Sequence, residues 1–114
     1  MTQPQRRPIL IVEDVEEIST QMKIMLQAKG HPVLAAANAN EAIHAAEKEP
    51  PSFILTDLDL PTLGLLVKLV REHRNFKEMV VAVIDINEPQ VTAESGLKVL
   101  TNFDQLDQLL HSVI

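Results

Sequence analysis

The amino-acid sequence predicts an α/β fold, a doubly wound five-stranded parallel sheet, and three observations carry that expectation. Short β-branched apolar runs alternate with amphipathic stretches along the whole chain. The connections between them are brief, as in sheets built from right-handed βαβ crossovers. The length, 114 residues, accommodates five such units in an open sheet and falls well short of an eight-stranded barrel.

Each element follows from a local pattern. Ile9 to Val12 is a continuous apolar run, the signature of a parallel strand covered on both faces. After Glu13 and Asp14, the spacing of Ile18, Met22, Met25 and Leu26 predicts a helix with these residues inward, and Gly30 supplies its stop. His31 to Ala35 reads as a second strand. A helix from about Asn40 to Lys48 follows, with an Asn cap and Ala42, Ile43 and Ala46 on one face, and Pro50 and Pro51 end it. Phe53 to Thr56 is the third strand, and Leu65, Leu66, Leu69 and Val70 mark the next helix.

Met79 to Ile84 is the strongest strand signal in the chain. Beyond it the pattern weakens. Asn87 to Gln90 reads as a turn, and Val91 to Ser95 supplies barely one helical turn, so the fourth helix is expected to be shortened. Leu97 to Leu100 makes the fifth strand. Phe103, Leu106, Leu109, Leu110 and Val113 then give a helical face to the end of the sequence.

Composition narrows the function classes. With 46% apolar residues the chain suits a packed core, and with no cysteine it holds neither a disulfide framework nor a thiolate metal site. A net charge of -6 disfavours nucleic acid and anionic lipid as partners. No apolar stretch approaches membrane-spanning length, and a cytoplasmic protein is expected. Residues 1–7 read as a polar N-terminal tail, with Arg6 and Arg7 a solvated lead-in, and residues 8–114 as one domain. Three glycines exclude a dinucleotide fingerprint or a P-loop. His31, His44, His73 and His111 share no ligand spacing and read as surface or boundary residues, and Ala35 to Ala37 reads as strand-end packing.

Sites in open α/β sheets form at the carboxyl ends of the strands. Here the first strand ends in Glu13 and Asp14, the third in Asp57 with Asp59 two residues on, and the fourth in Asp85. Helix capping explains any one of these acids, but not why three strands end alike. Carboxylates so close repel unless a cation sits among them, and Mg²⁺, a hard oxygen-seeking ion, is the natural candidate.

The segment from Ile9 to Asp14, and the segment from Phe53 through Asp57 to Pro61, resemble the first and third strands of the response regulator receiver domain of two-component signalling. That resemblance implies the flavodoxin-like strand order 2-1-3-4-5. It implies a phosphorelay in which Asp57 is the phosphoacceptor. Asp14, Asp57 and the backbone carbonyl of Asp59 would bind Mg²⁺, with Glu13 assisting through water. The implied partners are a histidine kinase or phosphotransfer protein and a downstream protein, and the role is regulatory, with at most Mg²⁺-dependent self-phosphoryl transfer.

The sequence departs from the family where the resemblance assigns switching. The usual hydroxyl after strand 4 is replaced by Asp85, the lysine after strand 5 by Asn102, and the aromatic switch residue by Val99. The loop after Asp57 is also one residue and one acid short. Two readings stay open: a phosphorylatable single-domain receiver with an atypical switch, and a pseudo-receiver acting as a phosphorylation-independent interaction module. Asp57 and Asp59 also resemble the paired-aspartate nucleophile motif of haloacid-dehalogenase-type phosphatases. That family carries the motif on its first strand and needs cap elements for which this chain has no room.

Overall fold

The structure, a computed structural model, describes residues 7–57, 60–84, 97–100 and 102–112. Its sheet contains β1 (Ile9–Val12), β2 (Val33–Ala36), β3 (Phe53–Thr56), β4 (Val81–Ile84) and β5 (Leu97–Leu100). The four described helices are α1 (Glu16–Ala28), α2 (Ala39–Lys48), α3 (Leu60–Glu72) and α4 (Phe103–Ser112). All strand pairs are parallel, in the order β2-β1-β3-β4-β5. Order and fold class are as the sequence led us to expect. Residues 85–96, where a shortened helix is expected, lie outside the described residues, as do Asp59, Asp85 and the expected tail apart from Arg7.

Alternation along the strands divides the core into two layers. Leu10, Val12, Ile54, Val81 and Val83 face α2 and α3, meeting Ala42, Ala46, Leu63, Leu66 and Val70. Ile9, Ile11, Phe53, Leu55 and Leu100 face α1 and α4, meeting Met22, Leu26, Leu106, Leu109 and Leu110. Strands buried on both faces explain why β1 and β3 read as unbroken apolar runs. Lys29 Nζ also reaches Asp107 Oδ1 at 2.8 Å, tying the end of α1 to α4.

Two inward-facing assignments are corrected. Ile18 is 37% exposed and Leu65 47% exposed. In α1 the buried stripe begins one turn later, at Met22; in α3 it runs through Leu63, Leu66 and Val70. That helix also starts earlier than its leucine pattern suggested, because Pro61 falls in the first turn, where a missing N–H costs nothing.

The helix ends follow local chemistry. Gly30 adopts φ 89°, its N–H donates to Gln27 O at 3.0 Å, and His31 N–H donates to Leu26 O at 3.1 Å. This Schellman closure folds His31 back against the helix, so that it is buried and not at the surface. It also delays β2 to Val33, two residues later than expected. The cap of α2 is Asn38, whose Oδ1 accepts from Glu41 N–H at 2.9 Å while its Nδ2 donates to Glu41 Oε2 at 2.9 Å. Arg71 Nη1 donates to Lys77 O and Met79 O, both at 2.8 Å. Those bonds hold Met79 ahead of β4, which starts at Val81.

Candidate functional site

Register places the acids. Val12 of β1 pairs with Thr56 of β3, so Glu13 and Asp57 are the next residues on adjacent strands. Parallel neighbours lie roughly 4.8 Å apart. Glu13 N–H still donates to Ala36 O at 3.0 Å, which prolongs the β1–β2 ladder and holds Glu13 in line with the sheet edge. Thr56, directly before Asp57, is fully buried.

Glu13 is only 4% exposed. Its Oε1 accepts from Val15 N–H at 3.0 Å, closing a local turn just before α1. Its Oε2 is buried and meets no hydrogen-bond donor among the described residues. Asp57 Oδ1 is in the same condition. Burial pushes the Asp57 carboxyl above the usual carboxylate range, and a bond from its own backbone N–H pulls it only partly back. Asp14, one residue past Glu13, is exposed at the turn into α1.

A buried carboxylate oxygen without a donor costs free energy, and two at neighbouring positions cost more. A hard cation relieves both at once, so the donor set fits Mg²⁺. Among the described residues no three acidic or histidine side chains yet stand close enough to ligate one ion. Asp59, whose carbonyl the resemblance adds to the set, lies outside those residues.

Of the expected switch positions, Val99 and Asn102 are among the described residues. Val99 pairs with Val83 and is half-buried on the α2–α3 side of the sheet. Lys98 pairs with Ala82, two residues short of the strand end, and is exposed. Asn102 follows β5, and its Oδ1 accepts from Gln105 N–H at 2.9 Å. It therefore caps α4, a task no lysine performs, since an ammonium accepts nothing. This role was legible in sequence as an Asn directly before a helical pattern, but the family position drew attention instead.

A second feature adjoins Glu13 on its β2 side. A cleft of about 490 Å³ opens between α1 and the β2–α2 turn. Of the three consecutive alanines, Ala36 alone is buried, while Ala35 and Ala37 are exposed and line the cleft. The sequence reading missed it because it joins two segments that are distant along the chain.

Comparison with known proteins agrees with this geometry. Residues 9–102 match the model of the response regulator receiver domain. The alkaline phosphatase synthesis transcriptional regulatory protein PhoP of Bacillus subtilis is 39% identical over 57 residues, covering 50% of this chain and 24% of PhoP. The CAI-1 autoinducer sensor kinase/phosphatase CqsS of Vibrio cholerae is 29% identical over 91 residues, covering 76% of this chain and 13% of CqsS. The chain thus spans under a quarter of the length of these curated relatives. The receiver domain of the sensor histidine kinase PA1611 from Pseudomonas aeruginosa shares the fold with a TM-score of 0.78 at 24% identity, covering 96% of this chain and 98% of that one. The chemotaxis protein CheY4 of Vibrio cholerae gives 0.78 at 24%, covering 96% and 100%. With its strand order, its acidic edge and a family match across most of its length, this chain belongs to the response regulator receiver domain family of two-component signalling.

Proposed function

We propose that this receiver accepts a phosphoryl group on Asp57 with Mg²⁺ beside it, and signals through protein contacts with an atypical switch. The observation that carries this reading is the pair of buried, donorless oxygens, Glu13 Oε2 and Asp57 Oδ1, on adjacent strands. Asp14, Asp57 and the carbonyl of Asp59 would hold the ion, with Glu13 reaching it through water. When bound, Mg²⁺ supplies positive charge where negative charge collects on the phosphoryl oxygens. The PA1611 receiver structure is described with a magnesium ion coordinated in its active site cleft, which supports the assignment.

The chemistry of the chain itself is brief. An Asp57 carboxylate oxygen attacks phosphorus on a phosphohistidine of a histidine kinase or phosphotransfer protein. The O–P bond forms as the P–N bond breaks, and the departing imidazole nitrogen keeps the electron pair and takes up a proton. The domain regulates rather than turning over a substrate. Its downstream partner is a protein, consistent with an acidic chain, and the cytoplasm, where a kinase partner would supply the phosphoryl group, is the compartment we infer. No described helix is long and apolar enough to cross a membrane.

The phosphorylation-independent module is the second reading, and Asn102 favours it. Its carboxamide is committed to capping α4, so the lysine charge that the family uses against phosphoryl oxygens is replaced by a structural bond. Charge-assisted bonds of that kind are worth about 1.5–3 kcal/mol. Incubation with acetyl phosphate and Mg²⁺, followed by intact mass, separates the two. We expect a mass gain of one phosphoryl group that chelation and Asp57→Asn both abolish. An unmodified wild-type chain overturns the phosphoacceptor reading.

A further inference from the structure

We propose that the outer edge of β2, with the flank of α2 beside it, is an interface for a second copy of this chain, the two β2 strands pairing antiparallel into one continuous sheet. The pairing needs neither Asp57 nor Mg²⁺.

β2 ends the sheet and pairs only with β1. Ile9 N–H donates to Pro32 O at 2.9 Å and Glu13 N–H to Ala36 O at 3.0 Å, so the even-numbered residues turn their backbone groups toward β1. By the alternation of a strand, Val33 and Ala35 turn theirs outward, where no described strand meets them. Sheet edges are ordinarily guarded against pairing by a charged side chain or a proline. The opposite edge, β5, carries the exposed Lys98. β2, reading Val-Leu-Ala-Ala, holds neither guard.

Two features select a second copy as the occupant. The first is that the strand complements itself. Pairing about Leu34 sets Val33 opposite Ala35 of the second copy and Ala35 opposite its Val33, so the outward groups of both strands bond to one another. Leu34, which packs on the α2 side of the sheet, meets its own counterpart at the closer, non-hydrogen-bonded position.

The second feature is charge. Glu41, His44, Ala45 and Lys48 recur at helical spacing along one flank of α2 and, with Leu34 and Ala35, line a groove of about 410 Å³. Antiparallel pairing places a two-fold axis perpendicular to the sheet, which lays the two α2 helices side by side and antiparallel. Glu41, in the first turn, then meets Lys48 of the second copy, in the last turn, and symmetry repeats the pair. Asn38 Nδ2 donates to Glu41 Oε2 at 2.9 Å and steadies that carboxylate. An unrelated extended peptide would satisfy the edge of β2 but not this charge pattern.

The test is sedimentation velocity of the full chain over a concentration series, joined to amide hydrogen exchange at low and high concentration. We expect a reversible monomer–dimer equilibrium, with exchange at Val33 and Ala35 at least tenfold slower in the dimer and exchange at Leu34 and Ala36 little changed. Ala35→Pro removes an outward N–H that β1 does not use, so it should keep the fold and abolish the dimer. Lys48→Glu should weaken the dimer severalfold, and adding Glu41→Lys to it should restore association. That charge swap decides the matter should circular dichroism show Ala35→Pro unfolded. A chain that stays monomeric throughout overturns the proposal, even if an added extended peptide protects Val33 and Ala35. So does a dimer protected along Leu97–Leu100 instead, or one that Lys48→Glu leaves unchanged.

Discussion

Two places along one sheet edge, the inner strands β1 and β3 and the outer strand β5, have come to different arrangements. At β1 and β3 the strand ends carry Glu13 and Asp57, each with a buried oxygen that meets no donor among the described residues, which costs free energy. At β5 the corresponding position is satisfied internally, because Asn102 caps α4. Polar groups left unpaired next to the core mark where a molecule is built to bind, while satisfied ones mark where it is built to stand. On the function proposed above, β1 and β3 keep the binding half of a receiver, while Asn102 after β5 serves as a helix cap.

The sharpest way to break the contrast is to remove the support of the binding half. Phe53→Ala empties a fully buried position four residues before Asp57 and should cost about 3–5 kcal/mol in urea unfolding. A loss below about 1 kcal/mol would mean β3 is not clamped as described. Next in size is Asn102→Ala, which removes the α4 cap. It should lower stability by about 1 kcal/mol while leaving Mg²⁺ binding beside β1 and β3 unchanged. A loss of Mg²⁺ affinity would instead place Asn102 in the site.

Gly64→Ala sharpens the account of α3. A methyl there meets nothing within 4 Å, so helix propensity alone decides, and stability should rise by roughly 0.5–1 kcal/mol. The smallest effect is expected at Asp57, which is only partly buried. Its carboxyl is raised by burial, so the folded state holds the proton more tightly than the unfolded chain. The stabilisation is complete below the usual value of 3.8 and is lost as pH rises through the elevated folded value. Without Mg²⁺, Asp57→Asn should therefore be the more stable protein at pH 7, with the advantage disappearing in acid. An Asp57→Asn chain less stable at neutral pH would contradict the desolvated site.

Much of this was readable in the residues, for physical reasons. β1 and β3 are buried on both faces, so Ile9–Val12 and Phe53–Thr56 could only be continuous apolar runs. Glu13 and Asp57 fall at strand ends because the sheet edge is where an α/β fold exposes its loops. Helix faces were less legible. Ile18 and Leu65 fit the periodicity, yet the rows of small and large side chains opposite them decide which residues go in. For the cap of α2, the residues point to an Asn without fixing which one. Asn38 and Asn40 both satisfy the pattern, and only the backbone geometry after β2 selects Asn38. The cleft beside Glu13 was invisible because its two walls are joined by tertiary packing alone.

The central claim, that the binding half remains while the switch is altered, is tested most directly by amide NMR with Mg²⁺ and then beryllofluoride, a mimic of the phosphoryl group on aspartate. The account predicts Mg²⁺ shifts around Glu13, Asp14 and Asp57, then Mg²⁺-dependent beryllofluoride shifts confined to those strand ends, with β5 and Asn102 unmoved. No response to beryllofluoride after Mg²⁺ has bound, or a response that sweeps through β5, would contradict it.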